Sequence, residues 1–286
     1  MRESNRIPTR LCSGRLVRRG FCVPDVFSGR APFLILFFFF FSSLISAQTL
    51  RIAAAADLQF VLPDLAAEYE KQTGVKLAIT YGSSGNFVAQ IQNGAPFDLF
   101  FSADLDYPKK LTQAGFADSD SLQIYATGRL ALWLPPDSPL DPGVGLKTLL
   151  DPRIQKIAVA NPEHAPYGRA AVAALQSASF YDQLKPKLVF GENISQAAQF
   201  VQSGSAQAGL IALSLALSPA MKNGKRWDIP ADRYPPIEQA VVVLKSSPNK
   251  QAALSFLTFL KSTQARATFE RYGFQVPNSA SSEQKP

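Results

Sequence analysis

The chain has 286 residues, 47% of them apolar, with one histidine, two cysteines and a formal charge of +7. That length can bury the core of one large domain or two medium ones, and so few histidines and cysteines leave little material for a metal site or a histidine-based acid–base pair. The charge excludes less than it suggests, because seven arginines against two acids put +5 of the +7 within the first 30 residues, so a pI near 9.4 says little about nucleic acid or membranes.

The first element in chain order is a leader. The arginine-rich stretch runs into the apolar segment 31–41 and then into the small-residue end Ser42-Ser-Leu-Ile-Ser-Ala47. A basic start, an apolar centre and a small-residue end make a secretory signal. Its apolar centre is shorter than the roughly 20 residues of a membrane-spanning helix. Residues 1–47 are therefore expected to be a signal peptide cut after Ala47, with a retained membrane anchor as the other reading. Cys12 and Cys22 leave with it, so the mature chain would have no disulfide, thiolate nucleophile or cysteine metal site. No cysteine follows the apolar run, so a lipobox is absent.

Short β runs then alternate with amphipathic helices. Strands are predicted at 50–54, 76–81, 98–102, 157–160, 188–190, 208–211 and 240–244. Helices are predicted at 60–72, 87–92, 169–177, 195–202, 251–260 and 264–272. In the first helix Val61, Leu62, Leu65, Ala66 and Tyr69 fall at helical spacing, and Gly74 stands where a C-cap is expected. Such alternation predicts α/β architecture with parallel sheets. The polar segment 278–286 is expected to be disordered. Pro and Gly cluster at Pro135, Pro136, Pro139, Pro142, Gly143 and Gly145, and again at Pro230, Pro235 and Pro236. These clusters divide the chain into a discontinuous lobe I (48–127 plus 238–277) and a lobe II (128–237). Two crossings would make a hinge, with a ligand cleft between the lobes.

Catalytic groups do not converge in this sequence. His164 is the sole histidine, no Walker or dinucleotide fingerprint appears, and Gly82-Ser-Ser-Gly85 is one residue short of a nucleophile elbow. What the chain offers instead is helix starts carrying neutral donors: Gly82-Ser-Ser-Gly-Asn86, Ala165-Pro-Tyr-Gly168 and Glu192-Asn-Ile-Ser195. A helix N-terminus presents unpaired N–H groups and partial positive charge, which suits an anion. Each start taken singly is more commonly just a cap; three at strand-to-helix turns, split between two lobes, carry more weight.

The run Tyr81-Gly-Ser-Ser-Gly-Asn-Phe-Val-Ala-Gln-Ile-Gln-Asn-Gly-Ala-Pro-Phe-Asp-Leu-Phe-Phe-Ser-Ala-Asp104 resembles the first-lobe signature of periplasmic molybdate-binding proteins. Asn161-Pro-Glu-His-Ala-Pro-Tyr-Gly168 resembles their second-lobe loop, and Arg271-Tyr-Gly-Phe274 their C-terminal motif. The likeness spans nearly the whole mature chain in the right order. It implies a two-lobe type II periplasmic-binding-protein fold with a ligand cleft between lobes. It also implies periplasmic location, an enclosed molybdate or tungstate, and delivery to the membrane permease of an ABC importer. No enzymatic activity, no cofactor, no nucleic-acid partner and no metal site apart from the bound oxyanion are expected, and the protein is expected to be a monomer.

Carried over position by position, the resemblance makes Ser84 a hydroxyl and N–H donor, with Ser83 beside it, and makes Ile194 a backbone N–H donor. Tyr167 would donate through its backbone N–H or phenol, standing in for a tyrosine that the family places where Ala212 lies here. Asp57 departs from the family, which usually has Ser or Asn just after the first strand. A carboxylate facing a dianion is repelled, so three roles are open to it. It could cap the first helix while its N–H binds the ligand, be held protonated as a donor, or coordinate the metal centre directly. A sulfate or phosphate binder on the same fold is the near alternative. An exported hydrolase using Ser84 with His164 is the distant one.

Overall fold

Residues 48–277 are described by a computed structural model; the signal-peptide reading of 1–47 and the disordered-tail reading of 278–286 fall outside the described residues. In chain order the elements are β1 (Thr49–Ala55), α1 (Val61–Thr73), β2 (Lys76–Gly82), α2 (Ser84–Gln92), β3 (Leu99–Ser102), α3 (Asp106–Gln113), β4 (Gln123–Gly128) and β5 (Leu130–Leu134). They continue with β6 (Ile157–Ala160), α4 (Pro166–Ser177), α5 (Tyr181–Leu184), β7 (Leu188–Gly191), α6 (Ile194–Gln202), β8 (Ala208–Ala212), α7 (Leu213–Ala216), β9 (Lys225–Asp228), β10 (Ile237–Val243), α8 (Lys250–Phe259) and α9 (Thr263–Arg271). Residues 56–58 form a single 3-10 turn after β1.

Two five-stranded sheets result, ordered β2-β1-β3-β10-β4 and β7-β6-β8-β5-β9. The fold is α/β as expected, but the sheets are mixed rather than parallel. β1 runs parallel to β2 and β3, whereas β10 is antiparallel to β3 and β4. Likewise β6 is parallel to β7 and β8, and β5 is antiparallel to β8 and β9. The reversed strands β5 and β10 are those that begin just after the chain passes from one sheet to the other. Such a strand is not the return of a βαβ unit, so nothing holds it to the parallel direction.

Each sheet is a central layer. On β1, β3 and β10, residues Ile52, Ala54, Leu99, Phe101, Val241 and Val243 join one core with α1, α8 and α9. Their neighbours Ala53, Phe100 and Val242 point to the other face and join Phe87, Val88 and Ile91 of α2. Burial on both faces explains why these strands read as unbroken apolar runs. The second sheet is enclosed in the same way by Ala170, Ala171, Ala174, Leu175, Ala197, Ala198 and Val201 of its helices. α1 is stopped by Gly74, at φ 74°, whose N–H bonds Glu70 O at 2.8 Å.

Two helices start a turn earlier than apolar periodicity places them, α2 at Ser84 rather than 87 and α4 at Pro166 rather than 169, while α6, α8 and α9 each start one residue early. The first turns of α2 and α4 carry Ser84, Gly85, Asn86, Pro166 and Gly168, which interrupt the apolar spacing, so the periodic signal begins late. The apolar pattern also does not mark α3, β4, β5, α5, α7 or β9. β4 and β5 are separated by Arg129 alone and read as one stretch, and β9 is a charged edge strand without alternation.

Candidate functional site

The C-terminal end of β1 and the turns β2–α2, β6–α4 and β7–α6 meet at one small cavity of about 10 Å3, roughly the room of a single water. Asp57, Ser83, Ser84, Tyr167 and Ile194 all line it, with Ala55, Ala103 and Asn193 among their neighbours. The five residues named from sequence thus come together, drawn from both sheets. In open α/β sheets the strand carboxyl ends are where ligands sit, because helix N-termini converge there.

Accounting for the helix-start N–H groups shows what this cavity offers. At α6, Asn193 Oδ1 accepts from Ser195 N and Gln196 N, both at 3.0 Å, which leaves the first helical N–H, that of Ile194, for a ligand. At α4, Pro166 has no N–H and the amides of Gly168 and Arg169 bond Ala165 O, which leaves Tyr167 N–H. In α2, Gly85 N–H is taken by His164 O at 2.9 Å and the start has no side-chain cap, which leaves the N–H groups of Ser84 and Asn86, of which Ser84 lines the cavity. Ser84 Oγ accepts from Ala103 N at 3.0 Å, so its own hydrogen can still be donated. Ser83 Oγ is buried with no partner among the described residues. The donors are neutral and come from three helix starts.

Asp57 stands among them as an acceptor. Its carboxyl is fully buried, and Oδ2 accepts from Gln239 Nε2 and, at 3.1 Å, from the Tyr167 hydroxyl. Oδ1 has no partner among the described residues. The helix-capping role for Asp57 is therefore overturned: α1 begins without a side-chain cap, and the carboxyl turns instead into this network. Tyr167's phenolic hydrogen is committed to Asp57, so its backbone N–H is the donor left for the cavity. Gln239 Nε2 also reaches Tyr167 Oη at 3.1 Å, and Gln239 Oε1 accepts from Tyr125 Oη at 2.6 Å. Burial pushes the Asp57 carboxyl up to about 6, partly offset by the bonds from Gln239, Tyr167 and its own backbone N–H. Burial, and then the nearby Asp57 charge, push the Tyr167 and Tyr125 phenols well above 10, so both remain donors.

A second set of contacts closes the rim. Arg169 of α4 pairs with Asp104, which follows β3, and its guanidinium lies 5.4 Å from the Tyr107 ring centre. Asn86 donates to Glu192 at 3.1 Å, and Ser195 Oγ donates to Gln59 at 2.6 Å. Gly85 is closely approached: a Cβ there would lie 2.6 Å from Tyr107 Oη, 2.7 Å from His164 Cβ and 2.9 Å from His164 Cα. Only glycine permits that approach. His164 holds the same rim, its Nε2 2.9 Å from Glu192 O.

The family model described as bacterial extracellular solute-binding protein matches residues 50–275. The chain belongs to the bacterial extracellular solute-binding protein family. Among the curated members it resembles, the molybdate-binding protein ModA of Rhodobacter capsulatus is 39% identical over 227 residues, which is 78% of this chain and 88% of that protein. The Azotobacter vinelandii periplasmic molybdate-binding protein superposes with a TM-score of 0.75 at 36% identity, covering 80% of this chain and 99% of that one. The sulfate-binding protein SubI of Mycobacterium tuberculosis shares the fold alone, at 18% identity and a TM-score of 0.63, covering 82% of this chain and 88% of that one.

For a solute-binding protein, the residues that sequence reasoning missed are the supporting ones. Gln239 carried a usable signal, as a lone uncharged polar residue in Ile237-Glu-Gln-Ala-Val-Val-Val243, yet nothing local tied it to Asp57, 182 positions away. The pair Arg169 and Asp104 gave no signal, since charged residues at helix and strand ends are ordinarily solvated. Among the described residues there is no cluster of three or more metal-binding side chains.

Proposed function

We propose that this chain is the exported, periplasmic solute-binding component of an ABC importer, capturing molybdate or tungstate between its lobes and delivering it to the membrane permease. The observation that carries the reading is the convergence of unpartnered neutral donors from three helix starts on one small cavity. A tetrahedral oxyanion presents four acceptor oxygens to donors spread over both lobes, and the two sides must part slightly to admit it. Neutral donors at fixed spacing favour an anion of matching size, because a smaller one leaves some of them unsatisfied. Relatives named for molybdate binding, at 37% and 39% identity over most of the chain, support the choice of cargo.

Binding without turnover is the second half of the reading. Ser84 Oγ and the His164 ring are engaged with Ala103 N and Glu192 O respectively, which does not make a nucleophile–base pair. Calorimetric titration with molybdate, tungstate, sulfate and phosphate is the test. Molybdate and tungstate should bind tightly and alike, and equal competition by sulfate would sink the assignment.

A further inference from the structure

The two oxygens of Asp57 have different surroundings. Oδ2 is saturated by Tyr167 and Gln239, whereas Oδ1 is buried, unpartnered among the described residues, and belongs to a residue lining the cavity. Around the carboxyl stand Tyr167 from α4, Gln239 from β10, Tyr125 from β4 and Asp57's own backbone N–H, with Tyr234 beyond Tyr167, while Ser214 Oγ bonds the Asp57 carbonyl at 2.8 Å. No cation is among the groups acting on it. An ionised Oδ1 beside an anionic oxygen is strongly repelled in an enclosed cavity. A proton between the two oxygens replaces that repulsion with a short, charge-assisted hydrogen bond.

Building on the oxyanion reading above, we infer that Asp57 makes capture proton-coupled, with one proton held between Oδ1 and an oxygen of the bound anion. With molybdate the proton comes from solvent. With an anion that already carries one, such as hydrogen phosphate, it comes with the ligand, and no other bond is made or broken. Gln239 is the positioning residue. Its amide donates to Oδ2 and to Tyr167 Oη while accepting from Tyr125, so it cannot turn without losing all three bonds. That keeps Oδ2 an acceptor and leaves Oδ1 as the place for the proton. Since burial sets the free carboxyl near 6, the ligand-free site is mainly ionised above neutrality, and the proton must be taken up on binding.

The test is calorimetry of molybdate binding at pH 7.5 in two buffers of different ionisation heat, repeated from pH 5.5 to 8.5. The wild type should take up about one proton per anion, and its affinity should fall about tenfold per pH unit above neutrality, since proton and anion binding are reciprocal. Asp57→Asn, which offers Oδ1's place as an amide donor, should bind with no proton uptake and no such slope. Wild-type binding without proton uptake and without pH dependence overturns the coupling alone, and is the result expected if Oδ1 coordinates the metal centre directly. Should Asp57→Asn fail to fold, the wild-type proton count still decides. If none of molybdate, tungstate, sulfate or phosphate binds, the capture reading falls and the coupling falls with it.

Discussion

At the residue scale, the site places one buried carboxyl among neutral donors, and the consequences can be separated by substitution. Asp57's folded value is raised from 3.8 to about 6, so the carboxyl contributes its full stability below pH 3.8 and loses it as pH rises through about 6. That difference corresponds to about 3 kcal/mol, as an upper figure for a buried group in a hydrogen-bonded network. Ligand-free Asp57→Asn should therefore be more stable than the wild type by about 1–3 kcal/mol at pH 7.5, with the gap closing by pH 4. Urea unfolding at the two pH values measures this, and an unchanged gap would remove ionised Asp57 as the cause. Ser84→Ala removes a hydroxyl donor and also the acceptor for Ala103 N–H. Molybdate affinity should drop about 10–100-fold, consistent with about 1.5–3 kcal/mol for a bond to a charged acceptor. Ile194→Val should shift affinity by less than about threefold, because the backbone N–H is the group in use.

At the element scale, the helix starts and the rim contacts have separate duties. α2, α4 and α6 aim donors at the cavity, while Gly85, Arg169 and Asp104 bring the two sides together around it. Gly85→Ala places a Cβ within 2.9 Å of the His164 backbone, so the two sides cannot approach fully. It should weaken molybdate binding by at least about tenfold, measured by calorimetry, with a smaller loss of ligand-free stability from the contact with the Tyr107 hydroxyl on its own side. Arg169→Ala touches no cavity-lining group, and its ion pair is partly solvent-exposed. Its expected effect is a several-fold faster molybdate release in stopped-flow chase experiments, with little change in association rate. A changed, salt-dependent association rate with unchanged release would make the pair a steering charge instead.

On the scale of the whole molecule, two sheets linked by short crossings share a cleft whose contents stabilise the assembly by mass action. A ligand that binds only the folded state adds RT ln(1 + [L]/Kd), about 4 kcal/mol at a thousandfold excess over Kd. Molybdate and tungstate should each raise the melting temperature measured by differential scanning fluorimetry, with sulfate at equal concentration doing little. A comparable rise with sulfate would show that the cavity does not select by size.

The linear pattern was enough for the α/β class, because strands buried on both faces and amphipathic helices impose their periods on neighbouring residues. It also located Gly74, Ser84 and Ile194 at element ends, where the local chemistry of capping and turns is written in adjacent positions. Tertiary structure alone decided the direction of β5 and β10, since strand polarity in a sheet follows from where the chain re-enters it. It alone paired Asp57 with Tyr167 and Gln239, across 110 and 182 positions. Asp57's place after the first strand is a local fact, whereas its burial, its unpartnered oxygen and the level of its proton affinity depend on partners that only folding assembles.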